Sequence, residues 1–86
     1  MIAYTLDQMQ TIAHRVVDKT GRMPDQSFVV WCDRGNFRVR PFSRFVDQDE
    51  RLIVGVYDVF VQPAMIVEDM QAYQREHFTK IHTHTL

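Results

Sequence analysis

Phe28 to Val61, FVVWCDRGNFRVRPFSRFVDQDERLIVGVYDVFV, decides the fold: it reads as three β-strands joined by a tight turn and a charged loop. A strand with one solvated face alternates apolar and polar side chains. Alternation is poor here. Val29 and Trp31 fall on one side of the first strand, with Phe28, Val30 and Cys32 on the other. In the third, Leu52, Val54, Val56 and Phe60 oppose Ile53, Tyr57, Val59 and Val61. Both sheet faces therefore need a cover.

Asp33-Arg34-Gly35-Asn36 between the first two apolar runs is a hairpin signal, read as a type I turn with Gly35 at a positive-φ bulge position. Two registers follow. The bulged one pairs Trp31 with Phe37 and Val29 with Val39; the other sets Trp31 opposite Arg38 and Val29 opposite Arg40, because a one-residue slip exchanges faces. In either, Arg38 and Arg40 share a face with apolar side chains, over which arginine stems can lie. Pro41 ends the second strand or marks it as an edge. A loop from Ser43 to Arg51 follows. The run Leu52 to Val61 is nearly all apolar, which predicts the central place in the sheet or burial on both sides, with Gly55 marking a bulge or a close approach.

Outside this core run the period changes to helical. Thr5 and Gln8 form a capping box, Tyr4 and Met9 are spaced as a hydrophobic staple, and Met9, Ile12, Ala13, Val16, Val17 and Thr20 recur along one face. Gly21 is placed to cap this helix in a left-handed conformation. At the other end Gln62-Pro63 opens a second helix expected to reach about Lys80. Its apolar arc holds Ile66, Val67, Met70, Tyr73, Phe78 and Ile81, with His77 inside it and Glu68, Arg75 and Glu76 opposite. The predicted fold is a single α+β domain over 1–86: a three-stranded antiparallel sheet with two flanking helices, order α-β-β-β-α. Either both helices dock on one face, or they split, or the loop from Phe42 to Arg51 folds over the second face.

The 86 residues suffice for one small core, and a single cysteine excludes an internal disulfide framework. With no leader and no spanning apolar run evident, a cytoplasmic location without membrane contact is expected. Ten basic against eleven acidic residues remove the bulk attraction that non-specific nucleic-acid binding uses. Eight of the ten are arginine, which favours planar and stacked contacts.

No catalytic pattern emerges. Cys32 has no activating neighbour in sequence. Asp47 and Asp49 lack the glycine and terminal glutamate of a calcium loop, and Glu68 and Asp69 suit a helix start. His77, His82 and His84 with Cys32 are ligand types zinc accepts, but without paired short gaps, and His14 lies on the polar side of its helix. Neither metal nor cofactor is expected.

The element order is similar to that of double-stranded RNA binding domains, yet Ala64, Met65, Glu68 and Asp69 stand where those domains carry a lysine cluster at the last helix. A small α+β chain without catalytic chemistry resembles, in general form and without a shared motif, the inhibitors and accessory factors carried by phages and plasmids, anti-CRISPR proteins included. The expected function is accordingly a non-enzymatic interaction module that binds a protein partner, or itself as a homodimer, through the outer sheet face. Its expected contact residues are Trp31, Phe37, Arg38, Arg40 and Tyr57. The alternative is a nucleic-acid binder using Arg34, Arg38, Arg40, Arg44 and Arg51 interleaved with Trp31, Phe37 and Phe42.

Overall fold

The structure, a computed structural model, describes residues 3–78. Helix α1 spans Leu6–Arg22, strand β1 Phe28–Asp33, strand β2 Asn36–Pro41, strand β3 Ile53–Tyr57 and helix α2 Pro63–His77; a 3-10 turn at Glu50–Leu52 precedes β3. The order α-β-β-β-α and the three-stranded antiparallel sheet agree with the sequence.

The capping box opens α1 as the sequence predicts: Thr5 Oγ1 accepts the Gln8 N–H at 3.2 Å, and Gln8 Oε1 accepts the Thr5 N–H at 2.9 Å. The expected cap at Gly21 does not form. The helix continues to Arg22, and the Met23 N–H closes it on the Lys19 carbonyl at 3.0 Å. Tyr4 is drawn elsewhere too. Its ring stacks on Phe37 at 4.7 Å, its hydroxyl oxygen accepts the Phe37 N–H at 2.9 Å, and its own N–H donates to Gln74 of α2.

Both central residues of the hairpin turn have positive φ, Arg34 at 53° and Gly35 at 85°, which is the requirement of a two-residue type I′ turn. The turn settles the register. Asp33 pairs with Asn36, Cys32 with Phe37, Trp31 with Arg38, Val30 with Val39 and Val29 with Arg40, so the bulged alternative is excluded.

Strand order is β2-β1-β3, which corrects the central place expected for the third strand. β1 holds the centre because it alone carries no charge, glycine or proline from Phe28 to Cys32. β3 is also shorter than its apolar run. The Asp58 side chain accepts the Phe60 N–H at 3.0 Å and its carbonyl accepts the Val61 N–H at 3.2 Å, a local turn that ends the strand at Tyr57. A bulge between Val30 and Trp31 on the β1–β3 ladder sets Ile53 opposite Trp31 and Val56 opposite Val29, so both share one face despite their spacing.

Both helices dock on the other face. Met9, Ile12, Ala13 and Val16 of α1 and Ile66 and Met70 of α2 form one buried cluster with Val30, Cys32, Phe37 and Tyr57 of the sheet. Phe78, just past α2, stacks on Phe37 at 5.7 Å. Lys80 and Ile81, and with them the expected end of the second helix, lie outside the described residues. Tyr57 folds back along its own strand: a Cβ on Gly55 would run into the Tyr57 hydroxyl and ring. Among the described residues no helix is long and apolar enough to cross a membrane.

Two substitutions test this packing by urea denaturation. Ile66→Ala, at a fully buried site, should cost about 2–5 kcal/mol through lost contacts and a cavity. Gly55→Ala should cost about 1–3 kcal/mol by forcing Tyr57 off its place, and a loss below a few tenths would show that the ring has room to yield.

Candidate interaction surface

The face away from the helices is built by Val29 and Trp31 of β1, Arg38 and Arg40 of β2, and Ile53 and Val56 of β3, as cross-strand partners fix them. Val29 is fully buried although no helix reaches it. A strap, residues 42–49, leaves the end of β2 over this face, where Phe42, Asp47 and Gln48 line a hollow with Ile53 and Val56. Phe42 donates its N–H to the Ser27 carbonyl at 2.8 Å, which extends the ladder, and the Val46 and Asp47 N–H groups turn back onto the Ser43 carbonyl.

Asp47 latches the strap. Its carboxylate accepts the Ser43 N–H at 2.8 Å and forms an ion pair with Arg40, with only 1 % of the side chain exposed. Arg40 in turn lies over the Trp31 ring, 4.8 Å from its centroid, as a cation–π contact. Burial pushes the Asp47 pKa up, but the hydrogen bonds from Arg40 and Ser43 and the Arg40 charge outweigh it and hold the carboxyl below its ordinary value. The Trp31 indole N–H is buried and finds no acceptor among the described residues.

The five residues expected to make contact divide. Trp31, Arg38 and Arg40 share the outer face. Phe37 and Tyr57 do not: the register turns both toward the helices, where they are buried, so they are core residues rather than contact residues. Phe37 sits among Tyr4, Tyr73 and Phe78. The Tyr57 hydroxyl donates to Asp69 at 2.7 Å, and burial first, then Asp69, pushes its pKa up. Cys32 is buried on the same inner side, and His77 stacks on Tyr73 at 4.1 Å. His82 and His84 lie outside the described residues.

The arginine group also divides. Arg40 is committed to Asp47 and Arg51 to Asp49, while Arg44 lies over Phe45 at 5.9 Å. Arg34 and Arg38 are exposed with no ion pair recorded for them among the described residues. Sequence reasoning missed the most exposed apolar side chains. Phe45, 81 % exposed, projects from the strap, and Phe60, 85 % exposed, from the turn after β3. The signals were the charged setting of Phe45 and the turn-forming Asp58 ahead of Phe60.

Because the folded pKa of Asp47 is depressed, the latch contributes fully above the ordinary carboxylate value of about 4 and is lost as pH falls through the folded value. Asp47→Asn should therefore lower stability at neutral pH and flatten the acid limb of a stability-versus-pH curve from chemical denaturation; an unaltered acid limb would show that the latch contributes nothing. Compared with known proteins, the chain matches no family model, no curated protein and no solved structure.

Proposed function

We propose that this chain is a non-enzymatic interaction module that binds a protein partner through its outer sheet face, in the manner of a small inhibitor or accessory factor. One observation carries the proposal. Both helices cover the same side of the sheet, and among the described residues the other side has only a short strap over it. What stays accessible there is the mixture that protein interfaces favour: an aromatic, an unpaired arginine and apolar rim residues. Half-buried Trp31 and exposed Arg38 are cross-strand partners, Val56 at 43 % exposure lies on the same face, and the strap adds Phe45 and Val46. Arg40 acts within this site by holding Asp47 and roofing Trp31, rather than by offering a free charge.

A nucleic-acid role would ask more of the arginines than the surface offers. Arg40 and Arg51 are each held by a carboxylate, and the formal net charge of −1 gives no long-range attraction to phosphate.

Affinity capture of the partner, followed by titration, tests the proposal. Arg38→Ala and Phe45→Ala, both at exposed positions, should leave circular dichroism and melting unchanged. At least one should weaken binding tenfold or more, the effect of losing about 1.4 kcal/mol at an interface anchor. Binding should depend weakly on salt. Capture of an oligonucleotide with steep salt dependence would instead support the arginine hairpin as a phosphate contact. A partner bound equally by both variants would remove the outer face from the interaction.

A further inference from the structure

We propose that the open edge of β3 pairs with the same edge of a second copy of this chain, making an antiparallel dimer with one continuous six-stranded sheet. The inference goes beyond the outer-face proposal, since it rests on the backbone edge of the sheet and takes from its face only the marginal side chains Ile53 and Val56.

The two edges of this sheet differ. In an antiparallel ladder, alternate residues of an edge strand turn their N–H and C=O groups away from the sheet. Asp33 and Asn36 close the two-residue turn, so on β2 the outward residues are Phe37, Val39 and Pro41. That edge is nearly closed to a further strand. The Phe37 N–H is already taken by the Tyr4 hydroxyl oxygen, Pro41 has no N–H, and Arg38 and Arg40 add charge. Only Val39 keeps a donor there.

β3 is less protected: the bulge opposite Trp31 kinks it and one N–H near its start is taken, but the rest of the edge is bare. From Ile53 to Tyr57 it contains no charge and no proline, and among the described residues its only strand partner is β1. The same alternation turns the N–H and C=O of Val56 outward, because its cross-strand neighbour Val29 directs its own groups to β2. The Ile53 N–H is bound to the Glu50 carbonyl, so Val56 is the edge's principal open pairing residue. An uncharged apolar edge with an open donor and acceptor at its middle is a template for another strand.

Several features select a second copy as that strand. A twofold axis perpendicular to the sheet makes the Val56 groups of two copies complementary to each other and keeps all four helices on one side. Pairing through Val56 sets Asp58 of one copy opposite Val54 of the other and Arg51 opposite Val61, so no like charges face each other across the seam. The apolar area is of the right order. Val56, Phe60 and Met65 line one hollow at the end of β3, and with Val59 they leave on the order of 400 Å² of side chain exposed, about half of the roughly 800 Å² per partner in a standard interface. The edge backbone and half-buried Ile53 and Val54 enlarge it, which places the dimer among weak, reversible ones.

Sedimentation and hydrogen exchange of the full chain test this. Raising the concentration should double the apparent mass and slow exchange of the Val56 amide while leaving the Val39 amide unchanged. Val56→Pro, which removes the outward N–H, should return the protein to the monomer mass with its circular dichroism intact. Arg38→Ala should leave the dimer in place, so failure of the outer-face proposal and failure of this one are separable. If Val56→Pro does not fold, the wild-type exchange pattern decides alone. A monomer up to the solubility limit, or a dimer whose Val56 amide exchanges as fast as in the monomer, would overturn the proposal.

Discussion

Burial of the central strand on both sides is the constraint the rest of this fold serves. Phe28, Val29 and Val30 are successive residues of β1 and all are buried, yet successive side chains of a strand point to opposite faces. Both amphipathic helices lie on one face here. On the other face the strap is not helical, and with its Phe45 and Val46 left exposed it is held by polar contacts. The Asp47 carboxylate supplies them by gathering the Arg40 guanidinium and the Ser43 N–H at a single buried point. Arg40 serves two ends, neutralising Asp47 and spreading its planar group over Trp31.

On the helix side, packing is organised around an aromatic group drawn from four parts of the chain. Tyr4 precedes α1, Phe37 lies on β2, Tyr73 on α2 and Phe78 just past it, with ring centroids between 4.7 and 6.3 Å apart for the contacting pairs. These distances suit offset and edge contacts between rings. Polar atoms within the group are also paired. The Tyr4 hydroxyl accepts the outward N–H of Phe37, and Tyr73 donates its hydroxyl to the Arg51 carbonyl at 2.8 Å, which ties the turn before β3 to α2.

Much of this was legible in the residues, and the failures have local causes. The capping box at Thr5 and Gln8, the apolar stripe of α1 and the α-β-β-β-α order follow from spacing alone. Hairpin register was not decidable in advance, because Asp33-Arg34-Gly35-Asn36 suits turns of two lengths, and the shorter one requires Arg34, a non-glycine residue, to adopt a positive φ. That choice moved Phe37 from the proposed surface into the core and left Trp31, Arg38 and Arg40 together, while Tyr57 is turned inward by its own pairing with Phe28. The third strand misled for another reason. Its long apolar run suggested a central position, but Val59 and Phe60 are apolar side chains in an exposed turn, and Gly55 leaves a gap that Tyr57 fills. Freedom from charge, glycine and proline in Phe28 to Cys32 was the better sign of centrality.

The β2-β1-β3 order has a kinetic corollary. β1 and β2 meet across a two-residue turn and lose little chain entropy in doing so, whereas β3 must return past the hairpin from Phe42 to Leu52 before it can align. Assembly of the sheet is thus staged, with a local hairpin available as a nucleus and the last strand docking on it late. Residues that secure the returning segment would then govern how long the native state survives more than how fast it is reached.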